Sequence, residues 1–467
     1  MPSPNQTTTG GPAGRPPLPP SAPLPLRRVL LSKGGPEEQL GILVDVAQRR
    51  GPVLGFRYLN RSSVLLDGAD EISHVLKGNS RNYRKSENYR PVKLVTGEGL
   101  LTSDGDLWRR QRRLIQPAFG RKRVEGLAAL MVSRTEQMLS RWQTDYARPG
   151  KPFDLFAQAI KLTLEITCEA LFGAQVAEGR VERVLALQPV IAAYIDSRMG
   201  VYPRSPLWVP TPGNLRFRRA RAELFGLIDS LVHQRRHSKE PNDDLLEVLL
   251  AATDGETGCG MGHGQLRDEI TTFFLAGSET TAVALSWAFW LLGNHPEAEE
   301  KLHEDLDRAL GGRLPTLEDL GRLPYARQLL HEAMRLYPPA WIVSRAPIED
   351  DEVGGYRVPA RTTILISPYV THRNPRYWER PEAFDPDRFA PAKSEERPEF
   401  AYFPFGGGPR KCIGDRFAMT EALLVLASIA TRFRLRPVPG QRVRPNPLVS
   451  LRPAGGVFVT LEERQSA

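Results

Sequence analysis

The chain has 467 residues, of which 41% are hydrophobic, 25% charged and 8% aromatic, and its net charge is +9. This is ordinary globular composition, which excludes wholesale disorder and a fibrous repeat. The positive excess suits nucleic acid, an anionic membrane or an acidic protein partner. The three cysteines, Cys168, Cys259 and Cys412, form neither a C-x-x-C pair nor a disulfide framework. A reducing compartment, most simply the cytoplasm, is expected.

The first 26 residues contain nine prolines and no acidic residue. They predict a flexible tail with extended character, and residues 27–467 are expected to form a single domain. No basic segment followed by an apolar one occurs in this region, so no secretory signal is expected.

Apolar residues that recur at intervals of three and four residues over most of the chain predict a mainly helical domain. Fewer strand patterns predict a smaller sheet. The expected helices cover 106–116, 124–142, 154–172, 215–235, 243–253, 265–292, 296–310, 324–337 and 416–433. The expected strands cover 53–58, 63–66, 363–366 and 456–460. The apolar stretch 270–292 is interrupted by Glu279, so it is expected to be a buried core helix and not a membrane span.

The segment 405–414 is the most informative part of the sequence. Three glycines and a proline precede Cys412, and Gly414 and a predicted helix follow it. A thiol just before a helix N-terminus lies at the positive end of the helix dipole, which favours a thiolate. Arg410 offers a fork of donors for a carboxylate, and Gly414 lets a large flat group approach the backbone closely. The alternative is an incidental buried thiol in a glycine-rich loop.

Five residues of this segment match the pattern Phe-x-x-Gly-x-Arg-x-Cys-x-Gly, namely Phe405, Gly408, Arg410, Cys412 and Gly414. The segment therefore resembles the haem-binding loop of the cytochrome P450 family. The resemblance implies the cytochrome P450 fold and a haem b cofactor held by this loop, including Phe405, Arg410 and Gly414. It makes Cys412 the axial thiolate ligand of the iron, whose electron donation favours O–O cleavage.

Glu332 and Arg335 lie three apart on a predicted helix and face the same side. By itself such a pair is usually a solvated surface ion pair. With Arg388, further along the chain, the pair resembles the family's Glu–Arg–Arg structural triad. The resemblance gives these three residues a role in stabilising the fold and no role in catalysis.

The small and hydroxyl residues 276–281 interrupt the apolar helix. One interpretation is local hydrogen bonding by Ser and Thr to the preceding turn. However, an unpaired carboxylate in a core is costly, so Glu279 needs a reason. The resemblance implies that Thr280 stabilises dioxygen bound to the iron together with its water, and that Glu279 helps to relay protons. Ala276 and Gly277 would leave room for oxygen and substrate.

Trp108 and Arg112 lie four apart and share one face of a predicted helix. Without the resemblance this is an ordinary basic amphipathic helix. The resemblance makes both residues partners of the haem propionates, through the indole N–H and the guanidinium. Arg345 matches a further propionate-binding arginine. His372 also matches a family segment, but it is equally consistent with a surface histidine whose hydrogen bonds are satisfied.

Residues 109–123 contain seven basic residues and no acidic one. A solvated face and a nucleic-acid site are both possible, but no aromatic stacking series or binding motif accompanies the run. Family members receive electrons from acidic proteins, and the sequence has no dinucleotide fingerprint. The resemblance therefore implies a separate ferredoxin and NAD(P)H-dependent ferredoxin reductase, docked near this basic run, and no nucleic-acid partner.

Together these features predict a cytochrome P450 monooxygenase that uses O2 and two external electrons to hydroxylate or epoxidise a mostly apolar small molecule. The predicted substrate is fatty-acid-like, terpenoid-like or another natural product. Alternatives on the same fold are a peroxide-driven peroxygenase and a non-oxygenase haem enzyme. Alternatives of another class are a non-catalytic haem sensor and a basic nucleic-acid-binding protein. The expected substrate-facing segments are 87–101, 185–208, 340–343 and 448–451, with the Phe273 and Ala276 face.

Overall fold

The computed structural model describes residues 16–20, 35–58, 61–146, 150–173, 178–199, 205–237, 244–255 and 258–464. Helices form most of this part of the chain, as the sequence predicts. In chain order they are α1 (Gly35–Arg50), α2 (Ala69–Ser73), α3 (Arg90–Thr96), α4 (Gly105–Ile115), α5 (Arg121–Gly126), α6 (Ala128–Tyr146), α7 (Leu155–Phe172), α8 (Glu178–Met199), α9 (Pro212–His237), α10 (Leu245–Ala251), α11 (His263–Asn294), α12 (Pro296–Leu310), α13 (Pro324–Leu336), α14 (Pro368–Thr371), α15 (Pro391–Ser394) and α16 (Asp415–Arg432).

The strands form small sheets at the edge of the helical body. They are β1 (Val53–Tyr58), β2 (Arg61–Leu66), β3 (Tyr83–Lys85), β4 (Phe153–Asp154), β5 (Val343–Pro347), β6 (Asp351–Val353), β7 (Tyr356–Val358), β8 (Thr363–Ile366), β9 (Phe433–Pro437), β10 (Pro445–Pro447), β11 (Leu451–Pro453) and β12 (Phe458–Glu463). The largest sheet has the order β1-β2-β8-β5-β3, and a second has the order β4-β12-β9. β2 and β8 run parallel, whereas β5 pairs antiparallel with both β8 and β3.

The 32-residue helix α11 passes through the centre of the main hydrophobic core. Its C-terminal half is apolar on all sides, the pattern of a helix buried within a protein. Trp287 is fully buried, stacks on Tyr337 at a ring distance of 3.8 Å and donates a 2.9 Å hydrogen bond to the carbonyl of Leu451. Among the described helices, none is long and apolar enough to cross a membrane.

Every helix that the sequence predicts is present, with shifted ends. The stretch predicted as one helix over 124–142 is divided between α5 and α6. Two long helices, α1 and α8, were missed. In α8, Pro189 lies in the interior, where proline ordinarily breaks a helix. Packing of apolar side chains such as Ile191 into the core outweighs this local cost.

The prediction of a flexible tail over residues 1–26 does not hold for residues 16–20. The carbonyl of Pro20 accepts a 3.1 Å hydrogen bond from the N–H of Gly55, and that of Pro17 accepts one of 2.9 Å from Arg357. These bonds place the segment against β1 and β7. Both are edge strands, whose unpaired backbone groups are available for such bonds. The remainder of the predicted tail lies outside the described residues.

Candidate active site

The cysteine loop lies between the turn at Gly408–Arg410 and the start of α16. The N–H of Cys412 donates a 2.9 Å hydrogen bond to the carbonyl of Phe405, which closes the loop. The N–H of Gly414 is directed at the Cys412 sulfur. The Cys412 side chain is exposed, whereas Cys168 is buried in α7. Burial raises the pKa of Cys168 to about 12, as expected for a packing thiol.

The surroundings of Cys412 act on its ionisation in opposite directions. Although the side chain reaches solvent, crowding by the loop raises the pKa of the thiol above its usual value. The Gly414 N–H and the charges of Arg112 and Lys411 lower this pKa, but do not offset the desolvation. A thiolate at neutral pH therefore needs more than the helix end that the sequence suggested, and a coordinated metal ion would supply it.

Cationic side chains gather beside this loop. The Arg410 guanidinium lies 4.3 Å above the Trp108 ring and donates to the Asp104 carboxylate at 2.5 Å. Arg345 and Lys85 are brought next to each other by the pairing of β5 with β3. Desolvation and repulsion by Arg345 and Arg410 hold the pKa of Lys85 well below its usual range, and Asp104 opposes them. Of these three basic side chains, Arg410 is the one whose ion pair with Asp104 the structure shows.

Arg345 is the most unusual member of this cluster, because it is only 6% exposed. Its Nη1 donates a 2.9 Å hydrogen bond to the carbonyl of Ser344. Within the described residues, no carboxylate lies within ion-pair distance of its guanidinium. A buried cation without a counter-charge is costly. The cluster is therefore suited to an anionic ligand group.

Arg112 reaches the cysteine loop from α4. Its Nη1 donates a 2.9 Å hydrogen bond to the carbonyl of Lys411, and its charge acts on Cys412. Trp108, one turn earlier on α4, packs under Arg410. The structure therefore brings Trp108, Arg112, Arg410 and Cys412 together, as the sequence suggested.

The middle of α11 carries the second group of predicted residues. Ala276 is exposed and Gly277 half-buried, although the helix on either side is buried. The Thr280 hydroxyl donates a 2.7 Å hydrogen bond to the carbonyl of Ala276. The local bonding that Ser and Thr often make is thus present, and it leaves the Thr280 oxygen free to accept.

Two contacts join the centre of α11 to the cysteine loop and to α16. The Phe119 ring packs edge-on against Phe273 at 5.3 Å, and a Cβ at Gly414 would lie 3.7 Å from the same ring. Thr281 lies close to the carboxyl group of Glu421 on α16. Burial raises the pKa of Glu421 to about 8. Phe119 therefore connects Phe273 of α11 to the loop that holds Cys412.

Glu279 does not lie free beside Thr280. Both of its carboxylate oxygens accept hydrogen bonds from the Arg452 guanidinium, each at 2.6 Å, and Oε1 also accepts from the Ser450 hydroxyl. The unpaired carboxylate that the sequence suggested is thus paired in the structure. Its partners lie more than 170 residues away in sequence, so no local sequence pattern predicts this pairing.

The Glu–Arg–Arg constellation is fully assembled. Glu332 and Arg335 are both 0% exposed and form a bidentate pair at 2.6 and 2.8 Å, and Arg388 Nε lies 3.4 Å from the Glu332 carboxylate. Arg335 also donates to the carbonyls of His372 and Pro381. His372 is itself buried and accepts a 3.0 Å bond from the Phe403 N–H, so it is not a surface histidine.

Hydrogen bonds also connect four of the predicted substrate-facing segments to one another or to α11. The Trp341 indole donates to the carbonyl of Leu448 at 2.7 Å, and the N–H of Val449 donates to Asp196 on α8 at 2.9 Å. The N–H of Leu100 donates to Glu269 on α11 at 2.8 Å.

The basic run at 109–123 is less available than the sequence suggested. Arg109 pairs with Asp106, Arg121 with Glu125, and Arg113 with the buried Asp254. Arg110 donates to the carbonyls of residues 259 and 260. Counting charges along the segment overlooked these acceptors, some of which lie 141 or more residues away. Two of the seven basic residues, Arg110 and Arg113, thus bind a neighbouring segment, and Arg109 and Arg121 pair within their own helices.

Comparison with known proteins identifies the class to which this fold and site belong. The family model named Cytochrome P450 matches residues 16–460. The chain belongs to the cytochrome P450 family. It is an oxidoreductase that acts with incorporation of oxygen from O2, as its relatives named monooxygenase and oxygenase indicate.

Several curated relatives come from Streptomyces. Cyclooctatin synthase of Streptomyces melanosporofaciens is 44% identical over 77% of this chain and 78% of its own. Cyclooctat-9-en-7-ol 5-monooxygenase of the same organism is 38% identical over 78% of both chains. Pentalenene oxygenase of Streptomyces avermitilis is 35% identical over 78% of this chain and 79% of its own.

Among solved structures, the cytochrome P450DA heme domain superposes with a TM-score of 0.86. It shares 23% sequence identity and covers 97% of this chain and 98% of its own. This likeness confirms the predicted fold, a large helical domain with a smaller β-rich region.

The family implies a haem–thiolate cofactor, and the residues of the site fit it. Cys412 offers an exposed thiol sulfur. The basic side chains of Lys85, Arg345 and Arg410, of which Arg410 is paired with Asp104, suit the two carboxylates that haem carries. Lys85 and Asp104 were missed from the sequence, because an isolated lysine and an isolated aspartate carry no motif.

Proposed function

We propose that this protein is a terpenoid monooxygenase that inserts one oxygen atom of O2 into a C–H or C=C bond of an apolar substrate. Three relatives that cover over three quarters of the chain support this substrate class, since their names refer to cyclooctatin, cyclooctat-9-en-7-ol and pentalenene. The observation that carries the reaction type is that Phe119 packs against Phe273 of α11 and also lies beside Gly414 in the loop that holds Cys412.

The proposed cofactor is haem b, with Cys412 as its iron ligand. When bound, the haem thiolate supplies O2 binding, reductive O–O cleavage and oxygen transfer. Lys85, Arg345 and Arg410 neutralise its propionates, and Trp108 and Arg112 complete the cradle from α4. Phe405 and Gly414 flank the thiolate, and the Gly414 N–H moderates its charge.

Thr280 and Glu279 are the proposed catalytic residues for proton delivery. The Thr280 hydroxyl donates its proton to the Ala276 carbonyl, so its oxygen can accept a hydrogen bond from a water molecule. Glu279 accepts and returns protons one residue away. Ala276 and Gly277, the smallest residues on this face, would leave room for oxygen and substrate beside the bound cofactor.

The proposed electron donors are a separate ferredoxin and its NAD(P)H-dependent reductase, in the cytoplasm. Because Arg110 and Arg113 bind residues 254, 259 and 260 and Lys411 is paired with Asp415, the docking contacts fall on the exposed Lys122 and Arg416. Complementary charge of this kind accelerates encounter and makes it sensitive to salt.

Thr280→Ala tests the reaction. We expect the variant to consume NAD(P)H but to form about tenfold less product per NAD(P)H, with the difference released as hydrogen peroxide, because the water molecule that delivers the proton loses its hydrogen-bond acceptor. The measurement is the ratio of product to NAD(P)H consumed, with a cyclic terpene as substrate.

Thr271→Ala is the matched control, because Thr271 makes the same 2.7 Å bond to the carbonyl four residues earlier on α11. It should keep the wild-type ratio. Full coupling in Thr280→Ala would remove Thr280 from the reaction. Turnover with peroxide alone and none with O2 plus reductant would show a peroxygenase instead.

A further inference from the structure

The Glu279 carboxylate is held by the hairpin that β10 and β11 form, residues 445–453, in which the two strands pair antiparallel. Arg452 in β11 binds both oxygens, and Ser450, just before β11, binds one of them. Glu279 is 8% exposed and Ser450 is 4% exposed. A bidentate guanidinium–carboxylate contact fixes orientation as well as charge, which a single lysine contact does not.

The same hairpin is tied to predicted substrate-facing segments. The carbonyl of Leu448 accepts a hydrogen bond from Trp341, and the N–H of Val449 donates to Asp196 on α8. These contacts lie within four residues of Arg452. The position of the guanidinium therefore depends on how the substrate-facing segments are arranged.

Three charged groups from three elements face one another here: Glu279 from α11, Arg452 from the hairpin and Asp196 from α8. Desolvation raises the pKa of Asp196, while the Val449 N–H and the Arg452 charge lower it. One guanidinium is thus shared electrostatically by two carboxylates. Removal of Arg452 would leave a buried carboxylate without its cation, and such a group protonates or turns to another partner.

We propose that Arg452 and Ser450 are positioning residues for proton delivery, which fix the orientation of the Glu279 carboxylate, one residue before Thr280, and link it to the substrate-facing contacts of residues 448 and 449. This inference rests on the proposed function, because it assigns to Glu279 the task of supplying protons at Thr280. Neither residue touches the reacting atoms, and both act through the carboxylate.

The test compares Arg452→Gln, Arg452→Lys and Ser450→Ala in the haem-loaded enzyme. Arg464→Gln is the matched control. Arg464, just after β12, also binds both oxygens of a carboxylate, because its Nη2 donates to Asp307 of α12 at 2.8 and 3.0 Å. The two readouts are the pH profile of product formed per NAD(P)H and the infrared stretching band of CO bound to the reduced haem. The band reports hydrogen bonds around the ligand without turnover.

We expect Arg452→Gln to lower coupling by about threefold to tenfold, to move the acidic limb of the coupling profile to higher pH, and to shift the CO band. Ser450→Ala should act in the same direction but less, and Arg452→Lys should recover part of the loss. Arg464→Gln should match the wild type in both readouts.

The inference is overturned if Ser450→Ala and Arg452→Lys both match the Arg464→Gln control in product formed per NAD(P)H and in the CO band. This outcome can be read even where Arg452→Gln fails to fold. If Thr280→Ala uncouples the enzyme while the Arg452 and Ser450 variants do not, the proposed function stands and the inference fails. If Thr280→Ala stays fully coupled, Thr280 has no part in proton delivery and the inference fails with it. If the wild type forms product with peroxide alone and none with O2 plus reductant, the proposed function itself fails.

Discussion

Glu332→Gln is expected to lower the free energy of unfolding by about 3 kcal/mol or more, because it leaves the guanidinium of Arg335 buried without its counter-charge. Both side chains are 0% exposed, and Arg388 adds a second cation 3.4 Å from the same carboxylate. Domains of this kind are stable by only about 5–15 kcal/mol, so the loss is a large share of the total. The amount of folded holoprotein should fall sharply.

The measurement is the haem content of purified protein together with its thermal unfolding midpoint. Glu125→Gln is a suitable control, since Glu125 forms an i,i+4 pair with an exposed arginine, Arg121, at 2.5 Å. The control should unfold at the wild-type temperature, because exposed pairs contribute little. A Glu332→Gln protein with wild-type haem content and unfolding midpoint would show that the buried triad does not stabilise the fold.

Gly408→Ala should disrupt the cysteine loop directly. Gly408 has a φ of +64°, and a Cβ at this position would overlap the backbone carbonyl of Leu76. Backbone cannot move aside as a flexible side chain can, so we expect a cost on the order of 3 kcal/mol or more and a loop that no longer presents Cys412 correctly.

Gly406→Ala separates the effect of a positive φ from the effect of the overlap with Leu76, within the same loop. Gly406 has a φ of +67°, but nothing lies within 4 Å of the position that a Cβ would take there. Alanine at this residue should cost only the backbone strain of about 1 kcal/mol and should leave haem binding intact. The measurement is haem incorporation per polypeptide, and equal incorporation in the two variants would mean that the contact with Leu76 does not position the loop.

Local patterns predicted much of the fold. The apolar, small-residue and hydroxyl pattern of α11 is contained in one continuous segment, and so is the glycine-rich loop around Cys412. The helix α8 was missed because Pro189 argues locally against a helix, whereas the energy that favours it comes from burial against distant elements. Strand β5 was missed for a similar reason, since its partners β3 and β8 are not adjacent in sequence.

The site was predictable where one motif carries several of its residues, as in the segment that holds Arg410 and Cys412. Lys85 was not, because its proximity to Arg345 exists only through the pairing of β3 with β5. The pairing of Glu279 with Arg452 likewise spans 173 residues. The basic run shows the converse error, since a local count of charge cannot reveal a buried acceptor such as Asp254.

The most direct test of a haem–thiolate centre at Cys412 is the absorption spectrum of the reduced, CO-bound protein, compared between the wild type and Cys412→Ala. The wild type should show the strongly red-shifted Soret band of a thiolate-ligated ferrous–CO complex, because the thiolate donates electron density to the iron. Cys412→Ala should lack this band. A wild type without the red-shifted band, or a Cys412→Ala variant that retains it, would contradict the assignment.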